Sequence, residues 1–157
     1  MTISLIPPTY PNLKYIADNL TPADRDEIAA TSPGRKPVKV LQRSVRDSYE
    51  CFVVAWNDEP QLVFGITTTD AGVGIPWMLS TGGMVRWPKA FMKGAHRIVQ
   101  RWLKMHGVLF NCVHARHAVA IRWLRALGFD VQEHEVVGVN EEPFFRFEMK
   151  ADQCVNR

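Results

Sequence analysis

The stretch Pro88-Lys89-Ala90-Phe91-Met92-Lys93-Gly94-Ala95-His96-Arg97-Ile98-Val99-Gln100-Arg101-Trp102-Leu103-Lys104-Met105-His106, followed by Gly107, decides the architecture. Phe91, Ala95, Ile98, Trp102 and Met105 recur at steps of four, three, four and three, which places them on one face of an α-helix. Lys89, Lys93, Arg97, Arg101 and Lys104 form a neighbouring stripe. Proline suits the first helical position because the N–H it lacks would find no partner there. Gly107 supplies a left-handed cap, and residues 108–113 resume as a strand. Upstream, residues 76–80 read as a short strand after the loop Asp70-Ala71-Gly72-Val73-Gly74. Strand, long helix and strand over residues 76–113 predict a crossover joining parallel strands.

Toward the C-terminus, residues 118–127 read as a shorter helix closed by Gly128 with Phe129 beyond it. Glycine after the last turn and then an apolar residue match the Schellman motif, in which the apolar residue packs back onto the helix. Strands follow over 131–137 and 144–149, and residues 151–157 read as a frayed tail. Toward the N-terminus, 51–56 and 61–67 are β-rich runs joined through Asn57-Asp58-Glu59-Pro60, a hairpin. Their nearly continuous apolar character predicts central strands covered on both faces. Residues 2–6 form a short strand stopped by Pro7 and Pro8, and 12–19 and 22–30 form two short helices. Thr21 caps the second, with Pro22 at its first position and Asp24 three residues after the cap, offering its oxygens to unpaired amides. The basic run 35–46, with Arg35, Lys36, Lys39, Arg43 and Arg46, reads as a solvated loop or edge.

The resulting order is strand, two helices, an antiparallel three-strand meander, helix, strand, helix and two strands. It predicts an α/β (α+β) layer around one mixed sheet of six or seven strands flanked by about four helices. A chain of 157 residues is near the usual size of one domain, about 100–150 residues, so residues 1–150 are expected to form a single one. The hydrophobic fraction of 46% supports a sizeable core and excludes disorder of the whole chain. No apolar run approaches the roughly 20 residues that span a bilayer. Pro7, Pro8 and Pro11 interrupt the start where a signal peptide would need an apolar stretch. Cys51, Cys112 and Cys154 are odd in number and widely spaced, so they read as reduced cytosolic thiols rather than a disulfide framework. The formal net charge of +3 is too small by itself to imply nucleic-acid binding.

Together with this order, Ala120-Ile121-Arg122-Trp123-Leu124-Arg125-Ala126-Leu127-Gly128-Phe129 resembles the GNAT superfamily of N-acetyltransferases, whose fourth helix commonly ends in Leu-Gly-Phe. Three segments taken together resemble a GNAT-like family of short-tailed bacteriophages grouped with internal virion protein A. They are Pro76-Trp77-Met78-Leu79-Ser80-Thr81, residues 121–129, and Pro143-Phe144-Phe145-Arg146-Phe147-Glu148-Met149. The resemblance implies a GNAT-like fold in a phage protein associated with virion morphogenesis, placed in the host cytoplasm and the virion. Its implied partners are other virion or host proteins, and its implied cofactor is acetyl-CoA.

The family binds the coenzyme pyrophosphate on a glycine loop before its long helix, because glycines let the backbone approach and helix N-terminal amides receive the anion. Here that stretch is Ser80-Thr81-Gly82-Gly83-Met84-Val85-Arg86-Trp87-Pro88, which departs from the family spacing. Ser80, Thr81, Gly82, Gly83, Arg86 and Lys89 are the cofactor-binding candidates. The tyrosine that protonates the leaving thiolate in many members falls on Leu124, and the asparagine that often opens the same helix falls on His117. For a base, Asp70 in the loop before the third meander strand is preferred over Glu50, Asp58 and Glu59, and His117 is the second catalytic candidate. His114 and His117 lack the third ligand of a helical zinc site, so no metal is expected. Cys112, in mid-strand, reads as a small apolar residue. The basic stripe on the long helix has three readings: a solvated face, a contact for coenzyme phosphates near Lys89 and Lys93, or a DNA contact. The leading expectation is a virion-associated or assembly protein with weakened or lost catalysis; the alternative is an active acyl-CoA-dependent N-acetyltransferase acting on a protein or small amine.

Overall fold

In the computed structural model, which describes residues 2–151, the elements run in this order. Strand β1 (Ile3–Ile6) is followed by helices α1 (Tyr10–Asp18), α2 (Pro22–Thr31) and α3 (Pro37–Asp47). Strands β2 (Glu50–Trp56), β3 (Glu59–Thr68) and β4 (Gly74–Ser80) come next, then a 3-10 turn (Gly83–Arg86) and α4 (Pro88–His106). The chain continues through β5 (Val108–His114), α5 (Ala118–Ala126), β6 (Asp130–Val139) and β7 (Glu142–Lys150). The sheet has seven strands in the order β1-β2-β3-β4-β5-β7-β6. Strands β4 and β5 are parallel, with Gly74 opposite Leu109, as the crossover pattern predicts. Residues 152–157, expected as most of a frayed tail, and Cys154 with them, lie outside the described residues.

Two compact units divide the chain: residues 2–67 with Trp77–Trp87, and residues 68–76 with 88–151. In the first unit Leu13, Ile16, Leu20, Ile28, Leu41, Val53, Val63 and Leu79 form one apolar core. One expectation is corrected here, since most of the basic run 35–46 lies in helix α3 rather than in a loop. Val38, Leu41 and Val45 recur at steps of three and four beneath the charges; Leu41 is 0% exposed, and Val38 and Val45 pack against the same core. Pro37 takes a first-turn position, and Arg43 pairs with Asp47 one turn later at 3.8 Å. The charge density of the run concealed an ordinary amphipathic helix.

Hairpin β2–β3 turns on two residues, Asn57 and Asp58, both with positive φ, at 49° and 68°. This is the tight turn whose twist suits antiparallel strands, and it lets β3 begin at Glu59. Strand β3 is buried through most of its length, whereas in β2 only Val53 and Ala55 are fully buried, so coverage of both faces holds for β3 alone. Val54 stands opposite Leu62 and Ala55 opposite Pro60, which leaves Gln61 as an extra residue in a β-bulge.

In the second unit α4 begins at Pro88 as expected, but its buried side is Phe91, Val99, Trp102 and Leu103. Met105, expected on that side, is 48% exposed, and Ile98 is half-buried. The apolar stripe thus follows steps of four from Phe91 through Ala95 to Val99 and Leu103, a slightly different phase of the same helix. Helix α5 ends as the Schellman pattern predicts: Gly128 N–H donates to Arg125 O and Phe129 N–H to Leu124 O, each at 3.0 Å. Phe129 is buried edge-on against Phe147 at 5.2 Å. Between β6 and β7 the register jumps from Gln132 to Val136, so Glu133, His134 and Glu135 bulge into solvent.

Leu41→Ala is expected to cost about 2–5 kcal/mol of unfolding free energy in urea, as for other buried leucines. A cost below about 0.5 kcal/mol, typical of an exposed loop, would return residue 41 to the surface.

Candidate functional site

The turn that follows β4 in the first unit is seated by two buried polar side chains from distant parts of the chain. Helix α2 starts with Pro22, and the Thr21 hydroxyl accepts from Asp24 N–H at 3.1 Å, so Thr21 is the cap that its sequence position predicts. The Asp24 carboxylate, however, is recruited by β4. Asp24 is 4% exposed and accepts from Ser80 N–H at 2.8 Å and from the Ser80 hydroxyl at 3.4 Å, while Thr21 N–H donates to Ser80 O at 3.1 Å. The start of α2 and the end of β4 therefore hold each other through both backbone and side chain.

Gln61 is the second anchor. A bulged residue is re-aimed relative to its strand, and here the side chain turns inward and is 2% exposed. Thr81 N–H donates to Gln61 O at 2.8 Å and the Thr81 hydroxyl to Gln61 Oε1 at 3.3 Å. Oε1 lies 1.6 Å from where a Cβ on Gly83 would stand, so residue 83 has no room for any side chain. Gly82 adopts φ of 83°, a left-handed conformation that glycine takes without strain.

Five of the predicted cofactor-binding residues, Ser80, Thr81, Gly82, Gly83 and Arg86, come together in this turn. Two of its amides are engaged within the turn: Gly82 N–H donates to Ser80 Oγ and Gly83 N–H to Thr81 Oγ1, each at 3.3 Å. The exposed Arg86 donates from Nε to Gly83 O at 3.4 Å. In the same unit the Tyr15 hydroxyl of α1 donates to Glu59 Oε1 at the start of β3. That bond, with burial and the Glu59 charge adding to it and Arg86 opposing, holds the phenol above its ordinary value. Trp56 and Trp87 stack with ring centres 5.7 Å apart.

The other predicted residues belong to the second unit. Asp70 is exposed in the turn closed by Thr69 N–H donating to Val73 O at 2.9 Å. Lys89 is exposed in the first turn of α4. His117 caps α5, its Nδ1 accepting from Ala120 N–H at 3.3 Å, so that nitrogen is engaged as a hydrogen-bond acceptor. Leu124 is half-buried on α5, and its carbonyl receives the Schellman bond of Phe129. Cys112 is half-buried on β5, and burial raises its thiol pKa, in keeping with a packing residue. Among the described residues no group of three His, Cys, Asp or Glu side chains is arranged to hold a metal ion.

Two features of this unit escaped sequence reasoning. Asn111 on β5 donates from Nδ2 to Pro76 O of β4 at 2.8 Å while its Oδ1 accepts from Cys112 N–H at 2.7 Å. A side chain thus bridges the parallel strands two residues beyond their Gly74–Leu109 pair. The buried His114 accepts at Nδ1 from Arg116 N–H at 3.1 Å and turns Nε2 toward Glu142 Oε2 at 3.5 Å; Arg116 meets the same oxygen at 2.9 Å. The hydrogen bond from Arg116 is the main reason that the Glu142 carboxyl lies below the ordinary carboxylate range. No periodicity marks either group, because each joins residues that the topology alone brings together.

No protein-family model and no curated protein matches the sequence. Solved structures do match. An aminoglycoside acetyltransferase, AAC(6')-Ib, in complex with coenzyme A superposes with a TM-score of 0.66 at 14% identity over 99% of this chain and 98% of that one. The chain has the GNAT acetyltransferase fold. A GNAT-family acetyltransferase from Bacillus anthracis matches with a TM-score of 0.66 at 6% identity, covering 97% of this chain and 96% of that one. The ribosomal-protein-S18-alanine N-acetyltransferase from Escherichia coli gives 0.63 at 13% identity, with 95% and 92% covered. The expected GNAT-like mixed sheet is therefore borne out.

Two predictions follow from the packing on this fold. Gly83→Ala is expected to destabilise by about 1–3 kcal/mol through overpacking against Gln61. In a double-mutant cycle measured by urea unfolding, the same change in a Gln61→Ala background costs less than in the native one. Equal cost in both backgrounds would place the clash elsewhere. In the second unit, Arg116→Ala raises the Glu142 pKa toward its ordinary value in an NMR carboxyl titration. Since the folded value is the lower one, the native pair stabilises above the ordinary carboxylate pKa and loses that contribution as pH falls through the lowered value. An unmoved Glu142 would remove Arg116 as the cause.

Proposed function

We propose that the protein is a virion-associated or assembly protein of a short-tailed bacteriophage, built on the GNAT fold with weakened catalysis. The combined resemblance of residues 76–81, 121–129 and 143–149 supports the phage setting and a partner among virion or host proteins. The observation that carries weakened catalysis is the internal use of the Gly82 and Gly83 amides by Ser80 and Thr81. A coenzyme pyrophosphate taking those amides would have to displace both hydroxyls, so the turn as folded does not fit that anion. Two further features agree. Leu124 cannot donate a proton, and Nδ1 of His117 is engaged by the backbone. Acetyl-CoA, when bound to a protein, supplies an activated acyl group for transfer.

The second reading is an active acyl-CoA-dependent N-acetyltransferase acting on a protein or small amine. The lengths of the two internal bonds favour it, since hydrogen bonds of 3.3 Å lie at the weak end and yield readily to a charged acceptor.

A thermal-shift titration separates the two. A ligand at 100 times its Kd adds about 2.7 kcal/mol, several degrees in the midpoint for a chain of this length. With millimolar acetyl-CoA the expected shift is under about 1 °C. A rise of several degrees, with acetylation of a test amine, would overturn weakened catalysis in favour of the enzyme. Mass spectrometry of purified particles is expected to find the protein in multiple copies, and its absence from them would overturn virion association.

A further inference from the structure

Helix α4 carries Lys89, Lys93, Arg97, Arg101 and Lys104, and all five are exposed. At about 100° per residue they cluster on the side opposite Phe91, Val99 and Trp102, the residues that hold the helix in its unit. The helix contains no Asp or Glu in its 19 residues. Among the described residues Lys89, Lys93, Arg97 and Lys104 form no ion pair. On α3, Arg43 and Arg46 share Asp47; Arg116 is matched by Glu142, Arg125 by Glu133 at 2.9 Å, and Lys150 by Glu148. Cations elsewhere among the described residues, such as Arg25, Lys39 and Arg122, are unpaired as well; α4 differs in carrying its cations along one side of a single helix that has no acid of its own.

We propose that this face of α4 binds the phosphate backbone of duplex DNA without reading its sequence. From Lys89 to Lys104 the helix rises about 22 Å, and that length of duplex presents about 13 phosphate charges. Four or five cations in a line along one rigid helix match such a polyanion, whose backbone charge is the same for every sequence. A lipid surface fits less well. An interfacial helix needs an apolar face to insert, and that of α4 is spent on its own unit, with Met105 the one large apolar residue of the helix exposed.

The test is fluorescence anisotropy of the full chain with a labelled 30-base-pair duplex of arbitrary sequence across a NaCl series. The expected result is binding whose log K falls against log salt with a slope of about −4, equal for a second, unrelated sequence. Arg97→Gln with Lys104→Gln lowers the steepness by about 2 while circular dichroism and the melting midpoint stay unchanged. If the pair of changes disturbs folding, Lys104→Gln alone is read for a loss of about 1. Arg43→Gln on α3 leaves the slope as it was. No binding at low salt, a slope indifferent to Arg97 and Lys104, or capture by vesicles rich in anionic lipid without capture by DNA would each overturn the proposal.

Discussion

Burial of two polar side chains, Asp24 and Gln61, governs the turn after β4 and much of the first unit with it. Neither can be moved alone. The Asp24 carboxylate is nearly excluded from water and accepts from the Ser80 amide, so removing that carboxylate takes the acceptor from a buried amide at about 1–3 kcal/mol. Gln61 lies inside because the β-bulge turns it there, and it stays because Thr81 donates to it and residue 83 has no Cβ. The register of β2 with β3, the start of α2 and the path of the turn are thus one linked choice. A side chain at position 83 would push the Gln61 amide from its place, and a β3 without its bulge would not aim that amide at the turn.

How much of this was legible depended on the range over which the information lies. The start of α4, the Schellman end of α5 and the β2–β3 hairpin were readable because each is written within a few consecutive residues. Helix α3 was missed for a physical reason of the opposite kind. Its apolar positions Val38, Leu41 and Val45 are interleaved with Lys39, Arg43 and Arg46, and Arg35 and Lys36 stand just before it, so that charge dominates a composition-based reading. The phase of the α4 core went astray because Ile98 and Val99 are both apolar, and only packing selects Val99. Asp24 looked like a residue serving its own helix, yet its partner Ser80 is 56 positions away. Gln61 carried a signal that could have been used, a lone amide within the run Pro60-Gln61-Leu62-Val63-Phe64. An apolar run interrupted by one polar residue is where a bulge or a buried hydrogen bond belongs.

The fold and the site speak differently about chemistry. Solved acetyltransferases share this architecture at identities of 6–16%, a range in which packing persists while the groups that touch a substrate are free to change. Three side chains with a chemical candidacy have structural employment. Nδ1 of His117 takes the capping role usually played by Ser, Thr, Asp or Asn, and the hydroxyls of Ser80 and Thr81 close the turn amides. A hydrogen-bonding group can serve two masters only if the exchange is cheap, and the 3.3 Å separations in the turn mark where exchange would cost least. Asp70 differs in that it sits exposed in a short turn, a place that aspartate favours for its backbone geometry alone.

A small net charge conceals how unevenly the charges are matched. Of the 19 lysines and arginines, those on α1, α3, α5 and β7 that take part in ion pairs contribute little to the field at a distance, because each is answered within a few ångströms. The field at larger range comes from what is left over, and α4 concentrates it on one side of one rigid element. Packing alone explains the opposite side of that helix, and solubility alone asks for charge of either sign. An amphipathic helix kept soluble by mixed charges would gain i, i+4 pairs at no cost to its core, as α1 does with Lys14 and Asp18 at 2.6 Å. Helix α4 instead places cation after cation at that spacing and accepts their mutual repulsion, an arrangement that becomes favourable when a polyanion lies against it.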